Sequence, residues 1–254
     1  MRNKYVNSII YNGGINKNSY LCRLPVLKHL AVHKEIKFTN NVTFFIGENG
    51  SGKSTLIEAI AVGMGFNAEG GSKNFNFSTR NTTYELSDCL TISKTAFHKD
   101  GYFLRSESFF NVASNIEELE VTGYGEKSLH EQSHGESFLA LFQNRFRGNG
   151  LYILDEPESA LSPSRQMTLL AEIHHLVEKN SQFIIATHSP ILLAYPNATI
   201  LEFSEMGIEQ IEYMESQHYR IYNRARAFTF GKAVERGNQD HVQLSSFFCE
   251  HSDF

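Results

Sequence analysis

The run Gly47-Glu48-Asn49-Gly50-Ser51-Gly52-Lys53-Ser54-Thr55 constrains this chain more than any other stretch. It has the spacing G-x-x-x-x-G-K-[ST] and lies between an apolar run, Val42 to Ile46, and a helix-like run, Leu56 to Val62. Glycines at these places let successive backbone N–H groups turn inward around phosphate oxygens, and the helix that follows points its positive end at the same spot. Lys53 is then expected to reach the β- and γ-phosphates and the Ser54 hydroxyl to ligate Mg2+. A glycine-rich turn is also an ordinary way to join a strand to a helix. The full pattern in a strand-loop-helix setting favours a nucleotide phosphate site held by Gly47 through Thr55.

Two later stretches carry matching chemistry. Leu151-Tyr152-Ile153-Leu154-Asp155-Glu156 is a short apolar strand that ends in consecutive carboxylates. A buried strand of a parallel sheet delivers its last residue to the carboxyl edge, where a phosphate loop of the same sheet also lies. Asp155 is thereby expected to hold Mg2+ and Glu156 to polarise the attacking water. Alone, such a pair is more often a helix cap; beside a phosphate loop it gains a catalytic reading. Phe183 to Ala186 is another buried strand, followed by Thr187-His188-Ser189, and His188 is the third catalytic candidate with Lys53 and Glu156. The segment from Pro163 to Glu178 is amphipathic, and its apolar stripe is core.

Composition narrows the function classes. A net charge of −5 and a pI near 6.1 give no global attraction to nucleic acid or an anionic membrane. Cys22, Cys89 and Cys249 are too scattered for a disulfide framework or a metal knuckle. Neither a signal-peptide pattern nor an apolar run of membrane-spanning length is present, so the expected location is cytoplasmic.

Taken in order, residues 1 to 19 read as a loose arm or short hairpin, and 20 to 38 as one or two strands. Residues 63 to 74 are too rich in Gly and Asn for a regular element. The region from 83 to 105 reads as strands, with a hairpin signal at Lys99-Asp100-Gly101. Ser108 to Leu119 takes on helical spacing, with Ser106 or Ser108 as its cap, and gives a short helical insert at about 106–130. The whole is expected to be one α/β domain over 1–254. A mainly parallel core sheet flanked by helices would accompany an antiparallel β part, with an unplaced tail from about 215.

The ordered set made by the phosphate loop, Ser133-His134-Gly135-Glu136-Ser137, Leu151 to Glu156, Ser159-Ala160-Leu161-Ser162 and Thr187-His188-Ser189 resembles the ABC-type ATPases. Within them it is similar to soluble single-domain bacterial types related to the SMC, DNA-repair and antiviral-defence branches. The resemblance implies that Ser133 and Gly135, at the signature motif, contact the γ-phosphate of ATP bound to a partner subunit. It likewise implies that His188 is the switch histidine and Ser159 to Ser162 the D-loop. His134 and Glu136 replace a glycine and a glutamine of the signature. The family's Q-loop glutamine is absent, its place being taken by Arg105, Ser106 and Glu107, with Glu107 the candidate. Tyr20 and Arg23 are the candidates for adenine stacking.

The implied activity is Mg-dependent ATP hydrolysis in a head-to-tail homodimer formed on ATP binding. Coupling to nucleic-acid maintenance or a phage-defence effector ranks first, and the nucleotide-binding subunit of a membrane transporter second. Arg145, Arg147, Arg220, Arg224 and Arg226 are the candidates for a nucleic-acid face, although scattered arginines on solvated helices are commoner.

Overall fold

The computed structural model describes residues 4–68, 70–71, 82–106 and 134–223. Glu107, the helix expected from Ser108 to Leu119, Ser133, Arg224 and Arg226 lie outside the described residues. The chain divides into two units, residues 1–211 and 212–254.

Along the first unit run β1 (Val6–Tyr11), a 3-10 turn (Tyr20–Arg23), α1 (Pro25–His33), β2 (Glu35–Lys37), β3 (Val42–Gly47) and α2 (Lys53–Gly63). Next come α3 (Thr82–Asp88), β4 (Leu90–Lys94), β5 (Asp100–Arg105) and α4 (His134–Arg145). Then follow β6 (Gly150–Asp155), α5 (Pro163–Glu178), β7 (Gln182–Ala186), the short α6 (Pro190–Leu193), β8 (Thr199–Ser204) and β9 (Gly207–Ile211).

Six strands form the core sheet in the order β5-β6-β7-β3-β8-β9, parallel throughout except for β9, which runs antiparallel at the edge. Every residue of β3, β6 and β7 is buried, as strands covered on both faces require. A second, antiparallel sheet has the order β2-β1-β4. This is the α/β fold of a P-loop NTPase, with the parallel core and the antiparallel part that the sequence implied. Registers Phe45↔Ala186 and Asp155↔Ala186 align the carboxyl ends of β3, β6 and β7. The phosphate loop, Asp155-Glu156 and Thr187-His188 therefore leave the sheet at one edge.

Four sequence expectations are corrected. Residues 6–11 are no loose arm: β1 is the middle strand of its sheet, with Val6 and Ile9 fully buried. The Gln182 side chain of β7 accepts from Tyr5 N and Val6 N and donates to Val6 O, a tie made 176 residues away from Val6. Most of the stretch expected as strands at 20–38 is helical. Pro25 occupies the first turn of α1, where its missing N–H is harmless, and Val26, Leu27 and Leu30 share the buried face. Residues 82–88 are helical rather than extended. Finally, Lys99-Asp100-Gly101 closes no hairpin, because β4 pairs with β1 while β5 pairs with β6. Backbone N–H groups of Lys99 and Asp100 both donate to Asn149 O, so this turn hands the chain from one sheet to the other.

In the second unit, Tyr213–Glu215 forms a 3-10 turn closed by reciprocal Glu212 and Glu215 bonds, and 217–223 is helical. Its Tyr213 and Tyr219 rings lie 5.1 Å apart.

Candidate active site

The phosphate loop is shaped by glycines that no other residue can replace. Gly47 has φ 131°, and a Cβ there would fall 2.1 Å from the Phe203 carbonyl oxygen of β8. Gly52 has φ 97°, and its Cβ would meet Val26 Cγ1 at 2.3 Å. Helix α1 thus packs directly on the loop, and Val26 N donates to Ser51 O at 3.3 Å. Leu24, just ahead of α1, lines one cavity with Asn49, Gly50, Gly52, Lys53, Ser54, Thr55 and Glu156. Tyr20 and Arg23 belong to the preceding 3-10 turn, and neither is among these lining residues. Glu48, Asn49 and Gly50 are exposed, while Gly47, Ser51, Gly52 and Lys53 are buried.

Lys53 Nζ donates to Gly47 O at 2.7 Å and Glu48 O at 3.0 Å. Burial pushes its ammonium below the ordinary lysine value, against the opposing pull of Glu156, Asp155 and Glu158. The Ser54 hydroxyl donates to Asp155 Oδ1 at 3.2 Å. Burial drives the Asp155 carboxyl up to about 7; Arg105 opposes this, Glu156 and Glu58 add to it, and the Ser54 bond opposes it again. Arg105 and Glu58, one turn beyond Ser54 on α2, form an ion pair at 2.9 Å.

Glu156 stands in the left-handed region, with φ 51° and ψ 51°. Its N–H donates to Ala186 O at 2.9 Å, and its carboxylate Oε1 lies 3.8 Å from His188 Nε2. His188 is held in turn through its own backbone N–H, which donates to Glu158 Oε1. The structure therefore brings Lys53, Ser54, Asp155, Glu156 and His188 to one sheet edge. Arg105, Ser106 and Glu158 join them. The first two drew notice in the sequence as occupants of the Q-loop position, and Ser106 also as a helix cap. Glu158 gave no signal beyond its place two residues after Glu156.

The signature stretch approaches from α4. A Cβ on Gly135 would fall 2.9 Å from the Ala160 carbonyl oxygen and 2.5 Å from Arg165 Nη1, so glycine is what lets this helix start lie against Pro157–Ala160. Glu136 pairs with Arg165 at 3.0 Å. Among the candidates for a nucleic-acid face, Arg145 is committed internally, bridging to Asp100 at 2.7 Å, whereas Arg220 is exposed in the second unit.

These residues fit a nucleoside triphosphate with Mg2+. A positive-φ loop opens onto a helix N-terminus, a buried ammonium stands beside it, and a hydroxyl and a carboxylate offer the hard oxygen donors that Mg2+ takes. The buried Ser51 hydroxyl also has no hydrogen-bond partner among the described residues. No helix among the described residues is long and apolar enough to cross a membrane.

The match to a family model accords with this geometry. The family described as AAA domain matches residues 27–188, from α1 to the histidine after β7. An uncharacterized ABC transporter ATP-binding protein of Haemophilus influenzae is 27% identical over 203 residues, covering 70% of this chain and 76% of that protein. Among solved structures, the SMC head domain from Thermotoga maritima is 17% identical with a TM-score of 0.44, covering 82% of this chain and 99% of that one. CbiO1 from Clostridium perfringens, part of the ABC transporter complex cbiONQ, is 15% identical with a TM-score of 0.49, covering 91% of this chain and 100% of that one.

Proposed function

The chain belongs to the AAA-domain family as an ABC-type P-loop ATPase, and from that premise we propose that it hydrolyses ATP with Mg2+ and cycles between a monomer and an ATP-bridged dimer. The observation that carries the hydrolytic reading is the Ser54–Asp155 contact of 3.2 Å, with Glu156 next along the chain and lining the same cavity as Lys53.

In this reading the loop N–H groups and Lys53 bind the β- and γ-phosphates. Lys53 exchanges its bonds to Gly47 O and Glu48 O for phosphate oxygens, a replacement favoured because a buried ammonium is poorly solvated. Ser54 and Asp155 would hold Mg2+, which would supply neutralisation of charge on the transferring phosphoryl group. Glu156 orients the water in line with the γ-phosphate and accepts its proton. His188, 3.8 Å from Glu156, donates toward the phosphoryl oxygens and limits the swing of the Glu156 carboxylate.

Each site is then completed by Ser133 and Gly135 of a second copy, with ATP as the adhesive and hydrolysis as the release. The work so gated is nucleic-acid maintenance or a phage-defence effector. A second reading, a transporter's nucleotide-binding subunit, is favoured by the name of the Haemophilus relative.

Three measurements test these statements. Lys53→Ala is expected to abolish ATP turnover, and unchanged phosphate release removes the assignment. Glu156→Gln is expected to retain ATP and accumulate as a dimer on gel filtration with Mg·ATP; a monomer at micromolar protein ends the composite-site proposal. Salt-dependent binding to double-stranded DNA supports the first cellular role, and its absence favours the second.

A further inference from the structure

Glu156 presents a conformational problem. L-residues other than Asn and Asp seldom enter the left-handed region, and the residue that follows here is Pro157. A residue before proline is biased toward extended backbone by the clash with the proline ring. Local sequence thus pulls Glu156 away from the conformation in which its carboxylate lines the cavity beside Lys53 and stands 3.8 Å from His188.

Its neighbours on the sheet edge oppose that pull. Ser106, immediately after β5, donates from Oγ to Glu156 O at 2.5 Å and to Asp155 O at 3.3 Å, and from its backbone N to Asp155 O at 3.2 Å. On the other side, Glu156 N donates to Ala186 O at 2.9 Å. The peptide groups before and after the Glu156 Cα are therefore both held: the carbonyl that leads into Pro157 accepts from Ser159 N at 3.1 Å within the local turn, and the Ser106 hydroxyl ties the same oxygen to the end of β5. We infer that Ser106 is a positioning residue that locks Glu156 in its left-handed backbone conformation and so aims the carboxylate at the attacking water. This rests on the role of Glu156 proposed above. It assigns the Ser106 hydroxyl a part in catalytic geometry.

The test uses the full chain and compares Ser106→Ala, Ser106→Thr and Glu156→Gln by steady-state ATP hydrolysis, ATP-analogue binding and thermal unfolding. Ser106→Ala is expected to lower kcat by about tenfold or more, with KM for ATP and the melting temperature close to wild type, because a small displacement of a reacting group is costly to rate. Ser106→Thr, which keeps the hydroxyl, is expected to recover most of that loss. A Ser106→Ala protein with wild-type kcat beside an inactive Glu156→Gln overturns the inference while leaving the proposed function standing. Parallel losses in kcat, ATP affinity and melting temperature also overturn it, since they mark a purely structural serine, as does a folded Ser106→Thr as slow as the alanine variant. Wild-type hydrolysis by Glu156→Gln removes both readings together.

Discussion

The Ser54 hydroxyl donates to Asp155 Oδ1 across 3.2 Å, joining the first turn of α2 to the last residue of β6 over a separation of 101 residues. The contact places a buried carboxylate next to the phosphate loop, with Glu156 and Glu58 close enough to discourage its ionisation. Charge at this point has to be compensated, and that requirement sets the first expectation.

The Asp155 carboxyl sits near 7 against an ordinary 3.8. A raised folded-state value means that the folded protein holds this proton more tightly than the unfolded chain. Its contribution to stability is fully present below about pH 4 and is lost as pH rises through about 7. Without nucleotide or metal, Asp155→Asn should therefore flatten the fall in stability between about pH 4 and 7, as followed by urea denaturation. A metal ion needs the ionised carboxylate, so apparent Mg2+ affinity in the presence of ATP should drop by up to about tenfold per pH unit below 7. An affinity independent of pH between 5.5 and 7 would contradict this.

Asp100 shows the opposite behaviour at the other end of the sheet. Burial alone would raise its pKa, but bonds from Arg145 at 2.7 Å and Tyr152 at 2.8 Å, with the Arg147 N–H at 3.1 Å, overcome burial and hold it below the usual carboxylate value. Its contribution is present above the unfolded value of 3.8 and lost as pH falls through the lower folded value. Asp100→Ala removes the carboxylate to which Arg145 and the Tyr152 hydroxyl donate, and should destabilise the protein by about 3 kcal/mol at pH 7. Because Arg145 ends α4, chemical denaturation is best paired with hydrogen exchange, which should report faster exchange in that helix.

Gly135→Ala tests the contact between α4 and the turn at Pro157–Ala160. The new Cβ would lie 2.9 Å from a backbone carbonyl that cannot swing aside, even if the Arg165 side chain does. A loss of about 1–3 kcal/mol is expected, typical of overpacking. Adding Arg165→Ala should recover only part of it, and full recovery would show that the carbonyl is not the obstacle.

Glu158 fastens His188 through the histidine's backbone N–H. Glu158→Gln keeps an acceptor oxygen and should leave ATP turnover within about threefold of wild type, whereas Glu158→Ala should lower it by about tenfold or more. Equal rates for the two variants would mean that the bond does not position His188.

Local pattern made much of the site readable. The phosphate loop's spacing, the apolar runs ending at Ile46, Asp155 and Ala186, and the stripe of α5 each appear within a few residues of sequence, because each depends on backbone conformation and periodicity. Short apolar segments were harder. The stretch 25–33 is buried on one face whether helical or extended, and Pro25 at the first helical turn decides it. The hairpin expected at Lys99-Asp100-Gly101 had suitable turn residues, yet β4 and β5 find their partners in different sheets.

The sequence by itself determined that the glycine-rich loop at 47–55, the Asp155-Glu156 pair and His188 would follow strands of one parallel sheet. Tertiary structure alone decided what surrounds them: Phe203 against Gly47, Val26 against Gly52, Arg165 against Gly135, and Ser106 beneath Glu156. The reason is physical. Backbone propensity and hydrophobic period are carried by neighbouring residues, whereas close approaches and buried hydrogen bonds depend on which distant segments the sheet order β5-β6-β7-β3-β8-β9 sets side by side.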